Sequence, residues 1–193
     1  QQFKRRDLEF LLSDLESIDV ATLILGGRRV GKSVLMYQMI DHLLTKGVNR
    51  LHILFIQGDN PILKEIHDEK KLLTDILDHY QNYILRKQFQ DLEETIYIFI
   101  DEAQSLTNWD EYLKALIDLK YNIKFIVTGS SSFSLRKGAQ NTLTGRVNVY
   151  LIPPFSFYDF ANFKLKNTKK EKFASDVLPL ATAFQDTLIK SDT

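Results

Sequence analysis

The sequence predicts an α/β domain built on a parallel sheet with helices packed against both faces. Apolar runs of five or six residues alternate along the chain with longer segments whose apolar residues recur at helical spacing. The third run, 95–100, is apolar throughout, as in a strand that is buried on both faces. Alternating strands and helices favour right-handed crossovers, and therefore a doubly wound parallel sheet.

The predicted elements follow in a regular order. The strands are expected at 20–25, 51–56, 95–100, 123–127 and 147–152. The helices are expected at 7–18, from the end of the first strand's loop to about residue 46, at 68–88 and around 109–117. Gly47 is a helix stop, and Gly58-Asp59-Asn60-Pro61 is a dense turn signal after the second strand.

Residues 26–33 match the phosphate-binding pattern G-x-x-x-x-G-K-[ST] at every fixed position. Glycines let the backbone turn so that its N–H groups surround a polyphosphate, Lys32 reaches the β- and γ-phosphates, and the Ser33 hydroxyl binds Mg²⁺. The preceding strand and following helix place the phosphates at a helix N-terminus, which favours anions. The predicted nucleotide-binding residues are Gly26, Gly27, Arg28, Arg29, Val30, Gly31, Lys32, Ser33 and Val34.

The composition excludes several other classes. The formal net charge is zero, so no overall field attracts nucleic acid or anionic lipid. The absence of cysteine excludes disulfides and thiolate chemistry. The four histidines lack metal-ligand spacing, and no run approaches the ~20 apolar residues of a membrane span. We expect a cytoplasmic protein with no membrane partner.

An acidic pair, Asp101-Glu102, ends the third strand. The carboxyl ends of parallel strands share the edge where the phosphate loop lies, so Asp101 is predicted to order Mg²⁺, directly or through water. Glu102 is predicted to be the base that aligns and deprotonates an attacking water. The alternative is that the pair only caps a turn or helix.

Along the sequence, one predicted strand (51–56) lies between the strand before the phosphate loop and the strand that ends in Asp101-Glu102. With the adjacent glutamate, this connectivity resembles the additional-strand catalytic-glutamate branch of P-loop ATPases, which implies the sheet order 5-1-4-3-2. It also implies a polar sensor after the fourth strand, where Thr128 and Ser130 are the candidates. A plain turn at these residues is the alternative.

Five segments in order resemble one family, the prokaryotic AAA-type ATPases. The segments are 25–33, 98–104, 127–132, 143–146 and 154–160. The resemblance covers about 5–165 and implies an ATPase domain at 1–163. In the family, such a core usually precedes a separate C-terminal domain. We therefore expect 164–193 to be a polar, helical segment at the start of a truncated further region, after an aromatic helical stripe at 155–163.

Arg146 stands before the fifth strand in a Thr-Gly-Arg turn, which we expect near the active edge. In related ATPases an arginine of this region acts on the γ-phosphate of its own or a neighbouring subunit. A surface salt bridge is the other interpretation. Lys32, Glu102, Thr128, Ser130 and Arg146 are thus the catalytic candidates.

Binding of ATP with Mg²⁺ and hydrolysis to ADP and phosphate is the predicted function. The alternatives are a slow nucleotide-dependent switch or binding module, and a small-molecule kinase, for which no acceptor lid is evident. The guanine-reading segment Asn-Lys-x-Asp does not occur, which favours ATP over GTP by resemblance. DNA, a protein client, a homo-oligomer or a C-terminal domain are compatible partners.

Overall fold

The computed structural model describes residues 5, 7–66, 71–130 and 142–154. Its sheet has five strands, all paired in parallel, in the order β2-β3-β4-β1-β5. The strands are β1 (Ala21–Gly26), β2 (Ile53–Gln57), β3 (Ile96–Asp101), β4 (Ile123–Ser130) and β5 (Val147–Ile152). This is the expected order 5-1-4-3-2 viewed from the other edge, so the predicted fold is confirmed.

The predictions for 155–193 lie outside the described residues, and the 1–163 boundary stays a prediction.

The helices connect the strands on both faces of the sheet. They are α1 (Asp7–Asp14), α2 (Lys32–Thr45), α3 (Pro61–Ile66), α4 (Leu72–His79) and α5 (Trp109–Asp118). Single 3₁₀ turns occur at Arg50–His52, Phe89–Asp91 and Ala103–Ser105, and a wider π-helical turn at Tyr80–Leu85 follows α4.

Helix boundaries differ from prediction at three places. The helix expected at 68–88 is α4 (Leu72–His79), followed by the π-helical turn that ends at Leu85. Helix α1 ends at Asp14 rather than near 18, because the backbone N–H groups of residues 15–17 bond to carbonyls three residues earlier and no longer follow the α-helical pattern. Helix α3 begins at the end of the predicted turn 58–61, where no helix was expected: the Asn60 carboxamide oxygen accepts the Ile62 N–H at 3.0 Å, and Pro61 takes the first helical position.

The core divides into two apolar clusters, one on each face. One contains Leu23, Ile98 and Phe125 from the central strands and packs against residues of α4 and α5. The other contains Ile24, Phe99 and Ile126, which alternate with them, and packs against α1 and α2. Burial on both faces explains why these strands are continuously apolar.

A buried polar network ties the α1–β1 connection to the amino ends of the strands. The Asp14 carboxylate accepts hydrogen bonds from Thr22 and from Asn148 (2.6 Å), and Lys124 Nζ lies 3.2 Å from it. Lys124 is fully buried, and its ammonium also donates to the carbonyls of Ser17 and Val20, each at 2.8 Å. Burial lowers the pKa of Lys124, and the Asp14 carboxylate opposes that shift. The network is structural, because it lies at the edge opposite the phosphate loop.

Lys124→Met should lower the free energy of unfolding by about 3–5 kcal/mol, because it leaves the buried Asp14 carboxylate without its cation. Chemical denaturation of the two proteins measures the difference. Lys87→Met, at an exposed position, is the matched control and should change it by less than about 0.5 kcal/mol. Equal stability of Lys124→Met and the parent chain would show that the ion pair is not needed for folding.

Candidate functional site

The carboxyl ends of three adjacent strands form the candidate site. Strand β4 lies between β1 and β3, with Thr128 beside Ile24, Ser130 beside Gly26, and Val127 beside Ile100. The loop after β1, the acidic pair after β3 and the hydroxyl residues of β4 therefore meet at one edge, as in the binding crevices of open α/β sheets.

The backbone of the phosphate loop requires glycine at two positions. Gly31, before α2, has φ +99°, a left-handed conformation that side chains disfavour. A Cβ on Gly26 would lie 2.7 Å from the Ile152 carbonyl oxygen and 2.9 Å from the Val30 side chain. The loop thus follows β1 tightly and directs the N-terminus of α2 toward the site.

Lys32 is buried, with its ammonium folded over the loop. Nζ donates to the carbonyl oxygens of Gly26 (3.3 Å) and Gly27 (3.1 Å) and lies 3.7 Å from Glu102 Oε1. The ammonium is therefore held at the loop. Among the described residues, Glu102 is the only one whose carboxylate forms an ion pair with it.

Asp101 is almost fully buried, and both of its carboxylate oxygens are occupied. Oδ2 accepts from the Ser33 hydroxyl at 2.6 Å, and Oδ1 accepts from the Thr128 hydroxyl. Asp101 and Ser33, which are 68 positions apart, are thus direct neighbours. Carboxylate and hydroxyl oxygens are the hard ligands that Mg²⁺ prefers, so this pair fits the ion.

Glu102 has a left-handed backbone, with φ +50° and ψ +49°. For a residue other than glycine this conformation costs about 1–2 kcal/mol. The Thr128 hydroxyl accepts the Glu102 N–H at 2.9 Å and so supports it. The carboxylate then has Oε1 toward Lys32 and Oε2 bonded to the Gln104 amide, and 27% of the side chain is exposed. Strained residues of this kind concentrate at functional sites.

Two residues of the site had no predicted role. Gly58 follows β2, and its N–H donates to the Asp101 carbonyl at 2.8 Å. A Cβ there would lie 2.9 Å from the Glu102 carbonyl oxygen, so glycine allows the close approach. The sequence marks Gly58 only as part of a turn. Gln104 lies inside the Ile-Asp-Glu-Ala-Gln segment, but its contact with Glu102 depends on the turn after β3.

The expectation that Arg146 lies near the active edge is wrong. Arg146 immediately precedes Val147, which pairs with Ala21 at the amino end of β1, and its carbonyl accepts the Ala21 N–H. The six residues of β1, about 20 Å of extended chain, therefore lie between Arg146 and the loop that follows Gly26. Its guanidinium forms a two-point contact with Asp118, at 2.6 and 3.1 Å. This contact raises the pKa of Arg146 and lowers that of Asp118.

The remaining predicted residues lie in the loop after β1, at the start of α2 or at the end of β4. Arg28, Arg29 and Val34 are exposed, and Gly27, Val30 and Ser130 are half-buried. Within the described residues, no three His, Cys, Asp or Glu side chains cluster to hold a metal ion. None of the described helices has the length and apolarity needed to cross a membrane.

The strand order, the loop after β1 and the acidic pair after β3 define an AAA-type P-loop domain. Residues 19–161 match the model of the AAA domain family, so the chain belongs to that family.

Two curated relatives are matched over part of their length. An uncharacterised protein of Haemophilus influenzae is 29% identical over 153 residues, covering 79% of this chain and 36% of the relative. Uncharacterised protein MJ1544 of Methanocaldococcus jannaschii is 34% identical over 148 residues, covering 77% and 30%. The chain therefore spans about a third of the length of these relatives.

Solved structures share the fold at low identity. A DNA polymerase III gamma subunit-related protein of Thermotoga maritima has a TM-score of 0.52 at 18% identity, covering 88% of this chain and 54% of that one. PCH-2 of C. elegans has a TM-score of 0.52 at 15% identity, covering 80% and 43%. These similarities support the architecture.

Proposed function

We propose that the domain binds ATP with Mg²⁺ and hydrolyses it to ADP and phosphate. The observation that carries the proposal is the convergence of four groups at one sheet edge. Ser33 Oγ lies 2.6 Å from Asp101 Oδ2, and Lys32 Nζ lies 3.7 Å from Glu102 Oε1. The loop and the pair that we propose bind phosphate and metal, a cation and the proposed base are thus adjacent.

Nucleotide binding would use the loop backbone and Lys32. Residues 26–31 surround the phosphates with N–H groups, and the N-terminus of α2 adds its positive end. Lys32 Nζ would leave the carbonyls of Gly26 and Gly27 for the stronger charge-assisted bonds of the β- and γ-phosphates. The same movement would release Glu102 Oε1 from the ammonium.

Ser33 and Asp101 would hold Mg²⁺. When bound, the ion neutralises charge on the β- and γ-phosphates and so favours departure of ADP. Their hydrogen bond places both oxygens within reach of one ion, and Thr128 fixes the other oxygen of Asp101. Thr128 is accordingly proposed to act on the site by orienting Asp101 and Glu102. Ser130, beside Gly26, remains a sensor candidate.

Glu102 would act as the base. Both Asp101 oxygens already accept hydroxyl hydrogen bonds, whereas Glu102 is partly exposed and has one oxygen facing the loop. The oxygen of a water molecule attacks the γ-phosphorus, its proton passes to Glu102, and the bond from the γ-phosphorus to the bridging oxygen breaks. That bond's electrons leave with ADP.

The position of Arg146 favours a second candidate function, a slow nucleotide-dependent switch. An arginine that contacts the transferring phosphoryl group stabilises the negative charge of the transition state. Such an arginine raises the hydrolysis rate ~10³–10⁵-fold. Arg146 lies about 20 Å from the loop of its own chain, so we propose that it serves a neighbouring subunit. A single chain would then bind nucleotide but turn it over well below ~1 s⁻¹.

We expect the turnover rate per subunit to rise with protein concentration, because assembly would deliver Arg146 to a neighbour's site. Arg146→Ala should remove the rise, and Arg50→Ala, at an exposed position, should keep it. Phosphate release measured across a concentration series, with sedimentation of the same samples, tests this. A rate that is independent of concentration and unaffected by Arg146→Ala would show that one chain completes its own site.

The proposed function is tested by calorimetry and phosphate release. MgATP should bind with one site per chain and more tightly than MgGTP, and phosphate release should stop when EDTA removes Mg²⁺. Binding without release would favour the switch, and phosphate transfer only to an added acceptor would favour a kinase. DNA or a protein client is a proposed partner of the longer proteins in which such domains occur.

A further inference from the structure

Gln104 contacts the proposed base directly. It lies in the turn Ala103–Ser105 that follows β3, and its Nε2 donates to Glu102 Oε2. The reversed amide would place its oxygen against the carboxylate, so the hydrogen bond fixes which end of the amide faces Glu102. One of the two carboxylate oxygens is therefore occupied, and the other faces Lys32 at 3.7 Å.

The other end of the Gln104 amide has no partner among the residues that the structure describes. Its Oε1 is buried and accepts no hydrogen bond within the described part of the chain. A buried unsatisfied acceptor lowers stability, so a side chain selected for packing alone would be apolar at this position. The Gln104 amide therefore donates a hydrogen bond to Glu102, while its own oxygen lacks a partner among the described residues.

The two oxygens of Glu102 therefore face different groups. With Oε2 held by the amide, and with the backbone held by Thr128, the carboxylate cannot turn Oε1 away from the loop without breaking a charge-assisted hydrogen bond. Oε1 is the oxygen that Lys32 would leave when phosphates bind. Oε1 would then already point toward a water molecule that enters beside the γ-phosphate.

We propose that Gln104 is a positioning residue, which holds Glu102 Oε2 so that Oε1 alone accepts the proton of the attacking water. The inference rests on the proposed hydrolysis and deepens it by adding a residue to the site. The Gln104 amide bonds to Glu102 and not to the loop at 26–33, so we expect its contribution to fall on turnover and to leave nucleotide affinity unchanged.

The test compares kcat, KM and the Kd for MgATP in the parent chain, Gln104→Met and Gln90→Met. Methionine matches glutamine in length and removes both the donor and the unpaired oxygen, so the thermal midpoint should not fall. We expect kcat to fall roughly 10–100-fold while Kd changes less than about twofold. Gln90→Met, at an exposed position, should behave like the parent chain.

A double substitution separates positioning from an independent role. In Glu102→Gln, where the base is already removed, adding Gln104→Met should not lower the residual single-turnover rate further. The same fold loss in both backgrounds would overturn the inference, as would unchanged kcat in Gln104→Met or a loss of nucleotide affinity that matches the loss of kcat.

A second variant keeps the test decisive if Gln104→Met does not fold. Gln104→Glu keeps the shape but places an acceptor against Glu102, and it should lower kcat at least as much as Gln104→Met; full activity of this variant would overturn the inference. A parent chain that binds MgATP but releases no phosphate overturns the proposed hydrolysis, and the positioning role with it. A parent chain that hydrolyses ATP while the Gln104 variants match it overturns the positioning role alone.

Discussion

Glu102→Gln should bind MgATP as the parent chain does and should lose turnover by ~10²–10⁴-fold, leaving a residual rate that single-turnover measurements can still follow. Glutamine has the same shape and can still hydrogen-bond a water molecule, but it cannot take the proton. Its neutral amide also leaves Lys32 without its carboxylate neighbour at 3.7 Å, which does not weaken phosphate binding. Calorimetry measures affinity, and phosphate release under single-turnover conditions measures the rate.

Asp101→Asn is the comparison for that prediction. It removes the carboxylate that the Ser33 and Thr128 hydroxyls bind, so it should raise the Mg²⁺ concentration needed for activity and lower turnover together. Glu102→Gln should leave the Mg²⁺ requirement unchanged. Hydrolysis at the parental rate by Glu102→Gln would place the base elsewhere.

Lys32→Ala should abolish measurable MgATP binding, a loss of at least ~100-fold, while the protein stays folded. The substitution removes the cation that the β- and γ-phosphates would meet. Folding should survive because the ammonium's hydrogen-bonding partners are loop carbonyls, which water can satisfy, and the apolar core is untouched.

Lys46→Ala is the matched control, since it removes an exposed lysine at the other end of the same helix. It should bind MgATP with the parental Kd. Circular dichroism confirms the fold of both variants. Unchanged MgATP binding by folded Lys32→Ala would mean that the loop after β1 is not the nucleotide site.

The sheet could be predicted from sequence because each strand is an apolar run between strong boundary signals. The fifth strand was predicted at 147–152 and is observed at Val147–Ile152. The strand order was expected only from the resemblance to the additional-strand catalytic-glutamate branch of P-loop ATPases, and the observed order agrees with it. The helical segment 61–66 was not predicted, because Asn60-Pro61 was interpreted as part of a turn, although the same two residues also form a helix-start signal.

The position of Arg146 was mispredicted for a topological reason. A residue just before a parallel strand lies at the amino edge, whereas the phosphate loop follows its strand and lies at the carboxyl edge. That Arg146 belongs to one of the five resembling segments gives no information about which edge it occupies. Its partner Asp118, at the end of α5, is 28 positions away and could only be found in the fold.

The interior of the site also depends on tertiary structure. Asp101 and Glu102 are adjacent in sequence, but the left-handed backbone of Glu102 separates their side chains toward different partners. Thr128 was predicted as a sensor, whereas its hydroxyl joins Asp101 to the Glu102 backbone. Gln104 could be placed beside Glu102 only once the turn after β3 was known.

Hydrolysis of bound ATP in ¹⁸O-labelled water tests the central claim most directly. The protein, in excess over ATP, is incubated with Mg²⁺, and the released phosphate is analysed by mass spectrometry beside a Glu102→Gln sample. We expect ADP and phosphate that carries one ¹⁸O atom from a single turnover, with both products formed ~10²–10⁴-fold more slowly by Glu102→Gln. ATP recovered intact from the saturated parent protein, at the highest concentration at which it stays soluble, would contradict hydrolysis by this domain.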